Sequence, residues 1–502
     1  PARLDEHLRL GGDWAPAAPQ DLFFRYPHDG GSFAQAASRC VGIGKCRQHE
    51  HPSGAVMCPS YQVTMEEEHS TRGRARLLFE MLHGHQDSPI ADGWRSAAVR
   101  AALDLCLACK GCKGDCPVNV DVATYKAEFL SHYYEGKPRP LSGYSMGLIY
   151  WWARLAALAP EVANFFMQAP VLSSIVKTVG GVSAHRAMPK FAPQTFKQWF
   201  RQREPRNVGQ AQVLLWPDTF NNHFHPETAI AAVEVLEAAG YQVIVPEQSL
   251  CCGRPLYDFG FLDQAEALLR QILETLRPQI RAGISIVGLE PSCVSVFRDE
   301  LINLFPNDED AKRLSKQAFL LSEFLNKKAE HYTPPKLNRK AVVHGHCHHK
   351  AIMRMNDEQA LLSQVGLDFH VLDSGCCGMA GAFGFEKDHY DVSIKAGERV
   401  LLPAVRKADK ETLIIADGFS CREQIEQCTD RKALHIAQVL KMAMDKEKGE
   451  FIGRTYPEEE YTRSPRPPMP KIRAAALIGT SALLAAGLGT VVWRLLRKQD
   501  NP

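Results

Sequence analysis

Apolar and polar positions change rhythm several times along this chain. Residues 1–36 hold little apolar periodicity and many turn residues, so they cannot form a domain alone. Glu66 to His83 reads as a helix, with Arg72, Arg74 and Arg76 on one face and Leu77, Leu78 and Leu82 on another. The arginines read as a solvated face; offsetting a buried negative charge or docking an acidic partner is the rival reading. Residues 141–180 are apolar and aromatic but broken by Pro160 and Pro170, and no charge-free run there reaches bilayer length. They predict short helices over the preceding module rather than a surface that dips into a membrane.

From Ala211 the rhythm becomes strand, helix, strand. VLLWPDTF is a strand and turn, Ala229–Ala239 a helical run ending at Gly240, and YQVIVP a second strand followed by SLCCGRP; ISIVGLEPSC comes later. The order recurs in AVVHGHCHHKA, FHVLDSGCCGMAG and TLIIADGFSC, which predicts two copies of an α/β unit with cysteines at strand ends. Residues 451–470 are a Pro-rich, charged linker. Ala474 to Trp493 is then twenty residues without a charge, flanked by Lys471 and Arg473 and by Arg494, Arg497 and Lys498. At ~1.5 Å per residue such a run spans a ~30 Å hydrocarbon core. Residues 471–498 therefore predict a single transmembrane anchor at the cell membrane, with the main domains cytoplasmic.

Composition narrows the class. A chain of 502 residues has room for roughly three domains. Its 45% apolar content excludes wholesale disorder, and a net charge of +2 gives no reason to expect nucleic acid. Fifteen cysteines are too sparse for a disulfide scaffold but are clustered, which points to metal ligation in a reducing compartment. No secretory signal is visible, and the start at Pro1 suggests a processed product or a fragment.

Cys106, Cys109, Cys112 and Cys116-Pro117 form C-x2-C-x2-C-x3-C-P, the ligand run of a two-cluster ferredoxin. Two-residue gaps gather three thiolates around one cluster, and the fourth reaches across to another. Gly111 and Gly114 let the backbone curl close, and Lys110 and Lys113 offset anionic charge. A zinc knuckle is the weaker reading, because zinc sites usually use two separated pairs. Upstream, Cys40 and Cys46 are followed after eleven residues by Cys58-Pro59, with Ile43 at the middle ligand position. If the halves exchange their Cys-Pro ligands, Cys58 joins Cys106, Cys109 and Cys112 around a 4Fe-4S cluster. Cys40, Cys46 and Cys116 then hold a 3Fe-4S cluster, or a 4Fe-4S cluster with an outside ligand, for which His49 and His51 are near enough in sequence although each reads first as an exposed loop residue.

These runs, with MCPSYQVTMEEEHSTRGRARLL and CLACKGCKGDCPVNVDVATYKAEFL, resemble the iron–sulfur half of flavin-linked D-2-hydroxyacid dehydrogenases. That group includes the glycolate oxidase iron–sulfur subunit and fused D-lactate or D-2-hydroxyglutarate dehydrogenases. The resemblance covers roughly residues 1–445, and residues 1–36 resemble the junction after a flavin domain. The paired repeat resembles the cysteine-rich CCG domain of heterodisulfide reductases and quinone-linked dehydrogenases. It departs from that pattern at Asp218-Thr219-Phe220, where a leading Cys would stand, and at Gly418, where a closing C-x2-C would begin. Cys347, Cys376, Cys377 and Cys421 remain as metal or cluster ligands in the second repeat. In the first, Cys251, Cys252 and Cys293 are ligands, completed by His223 or His225, or are small buried hydrophobes. Cys428 falls outside the pattern.

The fold expected is α+β and α/β. A junction (1–36) precedes a ferredoxin-type module (37–130), a helical linker (131–205), CCG repeats (206–330 and 331–450), the Pro-rich linker and the anchor. The resemblance implies an oxidoreductase component that takes electrons from a 2-hydroxyacid through FAD and delivers them to a membrane acceptor such as quinone. No flavin-binding motif is present, so FAD requires a partner subunit or a missing N-terminal domain. Rival readings are a heterodisulfide-reductase-like thiol–disulfide subunit and a membrane-tethered metal-binding scaffold, with zinc at the cysteines.

Overall fold

The computed structural model describes residues 21–48, 55–83, 90–450 and 455–464. Its N-terminal part is helical. Helices Thr71–His83, Ala97–Asp104 and Val122–Tyr133 pack around the cysteine loops. Asp121 caps the last of them by accepting the Thr124 N–H, and Glu128 within it is fully buried. The Glu128 carboxylate accepts the Phe23 and Phe24 N–H groups at 3.0 and 2.9 Å. Two backbone donors on one buried carboxylate are strong, charge-assisted bonds. They sew the junction segment onto the module.

Two parallel sheets follow. The first contains β1 (Gln212–Leu215), β2 (Gln242–Ile244), β3 (Ser285–Gly288) and β4 (Ala318–Leu320) in the order β2-β1-β3-β4. The second contains β5 (Lys340–Val343), β6 (Asp368–Val371) and β7 (Leu413–Ile415) in the order β6-β5-β7. Each sheet puts its first strand between its second and third, so the repeat read from the sequence is one of topology. Parallel pairing requires crossovers, and helix Leu262–Arg281 supplies one between β2 and β3. Its Leu262, Ala265, Leu269, Ile272, Leu276 and Ile280 recur at helical spacing and are buried on the sheet side.

The repeats share a core. Val213, Leu215 and Val287 of the first sheet join Val343, Leu413 and Ile415 of the second in one apolar cluster. Helix Pro226–Ala238 of the first repeat packs along helix Ile436–Glu447 of the second. Each fully buried Val, Leu or Ile there contributes roughly 1.5–3 kcal/mol, so the two sheets stabilise each other.

Residues 141–180 fold as helices Ile149–Ala156, Pro160–Gln168 and Pro170–Gly180. Pro160 and Pro170 stand at first helical positions, where a missing N–H costs nothing. Ala153 joins Phe191, Phe224 and Phe419 in a small core, while Leu158, Phe165 and Val171 are exposed.

The expectation of a membrane-anchored protein is corrected here. Among the described residues no helix is long and apolar enough to cross a membrane. The apolar stretch 141–180 is split by its prolines, and the long helix Leu262–Arg281 has a charged outer face. The predicted anchor, residues 471–498, lies outside the described residues, as do His49 and His51.

Candidate iron–sulfur and metal centre

The loop of the second cysteine run is coiled by its backbone. Ala108 and Lys110 take left-handed conformations (φ 49° and 58°), as does Cys58 (φ 55°) ahead of Pro59. Such residues turn successive N–H groups inward and make an anion-binding concavity. A side chain at Gly111 would meet the Met57 backbone at 2.9 Å, so that glycine is needed for the two halves to close. Cys106, Cys109, Cys112 and Cys116 are all buried. Burial, then Asp121 and Cys106, pushes the Cys112 thiol up to about 12. Burial raises Cys109, with Cys347, Cys112 and Cys106 adding to it.

In the first half, Cys46 and Cys58 meet. A hydrogen bond from Cys58 draws Cys46 down to about 6, while burial and that same bond push Cys58 up. The Thr71 N–H donates to Cys58 Sγ at 2.9 Å. Cys40 is half-buried, beside an open cavity of about 520 Å³ that Arg72 and Glu67 also line. The exchange expected from the sequence puts Cys58 with the other trio, and in the structure Cys58 also adjoins Cys46.

The second repeat gathers four thiols. Cys376 hydrogen-bonds with Cys347 and Cys377, and Cys377 with Cys421, all four being free thiols. Hydrogen bonding holds Cys347 and Cys377 well below the ordinary thiol range, and Cys376 and Cys421 rise in return. The Gly378 and Met379 N–H groups donate to Cys376 and Cys377 at 3.4 Å. Buried thiolates with converging amides are a donor set for a soft metal or an iron–sulfur cluster. His344 joins Cys377 and Cys421 as a further donor, and His346 and His348 flank Cys347.

The first repeat is poorer. Cys252 Sγ lies 2.9 Å from Cys293 Sγ, and the Thr219 hydroxyl donates to Cys251 at 3.6 Å. His225 is engaged on both ring nitrogens, whereas His223 is engaged on one and keeps Nδ1 buried without a partner. His223 Nε2 lies 3.0 Å from Asn222 Nδ2, and His225 is held between Glu227 and Glu423. Against the opposing effect of burial, those two carboxylates raise His225 to about 9. Cys428 lies apart, 3.8 Å from Arg186.

The sites abut one another. Cys347 contributes to the field on Cys109, and His348 Nε2 lies 3.1 Å from the Ala108 carbonyl oxygen. The short helix Gly111–Asp115 packs on the turn His349–Met353 so closely that a Cβ at Gly114 would meet Ala351 O at 2.6 Å.

Residues 35–120 match the family described as 4Fe-4S dicluster domain, and residues 218–298 the cysteine-rich domain CCG. The chain is 30% identical over 271 residues to one component of the anaerobic glycerol-3-phosphate dehydrogenase of Escherichia coli K12, covering 52% of this chain and 67% of that component. It is 31% identical over 243 residues to lactate utilization protein A of Bacillus subtilis, covering 46% and 98%. The chain belongs to this family of dicluster and CCG iron–sulfur proteins. A D-2-hydroxyglutarate dehydrogenase of Pseudomonas putida is 27% identical over 445 residues, 81% of this chain and 43% of that protein. The chain thus spans under half the length of that relative.

Against the family pattern, the two departures have structural partners. At the missing leading cysteine, Asp218 is buried, caps the helix Thr219–His223 and opposes ionisation of the Cys293 thiol. Burial, then Glu290, raises its carboxyl to about 6. At the missing closing cysteine, a Cβ on Gly418 would lie 2.2 Å from His346 Cδ2, so the imidazole fills the space of the absent side chain. Lys110 is also more than a counter-charge to a cluster. It is fully buried and pairs with Asp121 at 3.0 Å and with Asp299 and Glu300 of the first repeat at 3.0 and 3.2 Å. The motif marks Lys110, but nothing local marks its partners 189 and 190 residues on.

Proposed function

We propose that this chain is the iron–sulfur electron-transfer component of a FAD-linked 2-hydroxyacid dehydrogenase acting on glycolate, D-lactate or D-2-hydroxyglutarate. The observation that carries the reading is the direct packing of the second cysteine run on the cysteine site of the second repeat, through His348–Ala108 and Gly114–Ala351, with Cys109 and Cys347 in one buried cluster. Clusters bound at these thiols would supply one-electron transfer. The chain's own residues hold the two donor sets in contact, exclude water from them and aim amide N–H groups at the sulfurs, which raises a bound cluster's potential.

Cys106, Cys109 and Cys112 with Cys58, and Cys40 and Cys46 with Cys116, are the proposed dicluster ligands, with 3Fe-4S or 4Fe-4S at the second set. Cys347, Cys376, Cys377 and Cys421 are the proposed ligands of a further cluster or zinc. Cys251, Cys252 and Cys293 form a lesser site of the same kind. FAD would reside on a partner or on a domain outside these residues, and a quinone is the acceptor proposed. The rival thiol–disulfide reading loses support where Gly418 and Asp218 replace cysteines.

Low-temperature EPR with iron and sulfide analysis, on anaerobic protein before and after dithionite, tests the reading. Two dicluster signals plus a distinct third one are expected, with a 3Fe-4S signal on oxidation if Ile43 leaves an iron site open. Zinc without sulfide would sink the relay and leave a metal scaffold.

A further inference from the structure

Behind the cysteines of the second repeat, three ligating side chains from separate elements converge. His349 lies on the turn His349–Met353, Glu358 on helix Asn356–Gln364, and Asp417 just past β7. One ligand atom of each lies within 4.8 Å of the others. They are 1%, 2% and 4% exposed, so water cannot solvate their charges.

His349 Nδ1 is 3.2 Å from Glu358 Oε2. Neither atom has a hydrogen-bond partner, and neither does His349 Nε2. The two atoms face each other as an ion pair, and His349 Nε2 is left over beside them. Among the described residues, Glu358 and Asp417 are ion-paired with histidines alone, His349 and His435. His435 Nε2 is already committed to the Leu289 carbonyl at 2.9 Å. With no lysine or arginine beside them, the two buried carboxylates must share a proton, as Glu358 and Asp417 can across their mutual hydrogen bond, or hold a cation between them.

We propose that His349, Glu358 and Asp417 bind a divalent cation of the zinc class, at a site separate from the cysteine centres. One imidazole and two carboxylates are a borderline-hard N/O donor set, unlike the thiolates nearby. Zinc–N and zinc–O bonds of ~2.0–2.2 Å put tetrahedral ligands ~3.3 Å apart, the separation His349 and Glu358 already have. The Ile436 N–H donates to Asp417 Oδ1 at 2.9 Å and fixes its orientation from outside, as metal-binding carboxylates require. The site lies two residues past Cys347 and four before Cys421. A cation there would fasten together the loops that carry both thiols.

The test uses the full chain, reconstituted anaerobically with iron and sulfide, then loaded with zinc ion and desalted. One retained zinc with an N/O shell at ~2.0–2.2 Å by X-ray absorption is expected. No retained zinc, or a shell containing sulfur at ~2.3 Å, overturns the proposal. Glu358→Gln and Asp417→Asn should each weaken zinc binding by roughly tenfold or more, with sulfide content and EPR signals unchanged. Wild-type zinc affinity in both variants overturns it too. If the variants fail to fold, absorption on the wild-type protein decides alone. Loss of the EPR signals would bear on the electron relay and not on this site.

Discussion

Gly114→Ala perturbs the contact that joins the second cysteine run to the second repeat. Its new methyl would meet Ala351 O at 2.6 Å and Ala351 Cα at 2.9 Å, both backbone atoms with no rotamer to yield. Regaining ordinary contact requires the helix Gly111–Asp115 and the turn His349–Met353 to part by roughly 0.8 Å. Two effects oppose each other. Alanine in a helix gains up to ~1 kcal/mol over glycine, while overpacking a tight interface costs ~1–3 kcal/mol. The net expectation is destabilisation of about 1–2 kcal/mol. Separation of the cysteine sites should also slow electron arrival at the second repeat. Denaturant unfolding under anaerobic conditions reads the first effect, and stopped-flow reduction at wavelengths specific to each site reads the second. A variant as stable as the wild type that fills its second-repeat site at the same rate would refute the close packing and the relay built on it.

Other perturbations follow the same logic. Lys110→Met leaves Asp121, Asp299 and Glu300 short of a cation and should cost ~3–5 kcal/mol, read by unfolding across a pH series. In the wild type, Lys110 and Arg254 outweigh burial and hold Glu300 down at about 2. Its contribution is therefore complete above the ordinary carboxylate range and lost as pH falls toward 2. In the variant the buried carboxylates favour the protonated form, so the deficit should be larger at pH 8 than at pH 5; equal deficits would refute the pairing. Cys377→Ala removes the thiol bonded to both Cys376 and Cys421. It should abolish iron or zinc at the second repeat while leaving the dicluster EPR signals intact. Gly418→Ala must displace His346 and should cost ~1–3 kcal/mol; unchanged stability would show that the imidazole has room to move.

Local spacing made the dicluster run legible, because four thiols within eleven residues must share a loop whatever the rest of the chain does. Strand-end cysteines were legible too, since the loops that follow parallel strands gather at one edge of the sheet. What could not be read locally was decided by distant partners. His225 looks like a ligand until Glu423 closes on it. Asp218 reads as a gap in a motif until its helix brings it into the field of Cys293. Arg74 reads as part of a solvated face, yet it is buried and donates to the Ala102 carbonyl. The predicted anchor rested on hydropathy alone, and no described helix supports a span.

The pairing of helix Pro226–Ala238 with helix Ile436–Glu447 also constrains how the chain is made. The first helix cannot bury its outer face until the last one has been synthesised, about 200 residues later. At ~5–20 residues per second, roughly 10–40 s separate the two on the ribosome. A chain cut short before Ile436 would leave the face of helix Pro226–Ala238 that packs on Ile436–Glu447 uncovered and become a substrate for chaperones and proteases rather than a smaller working unit.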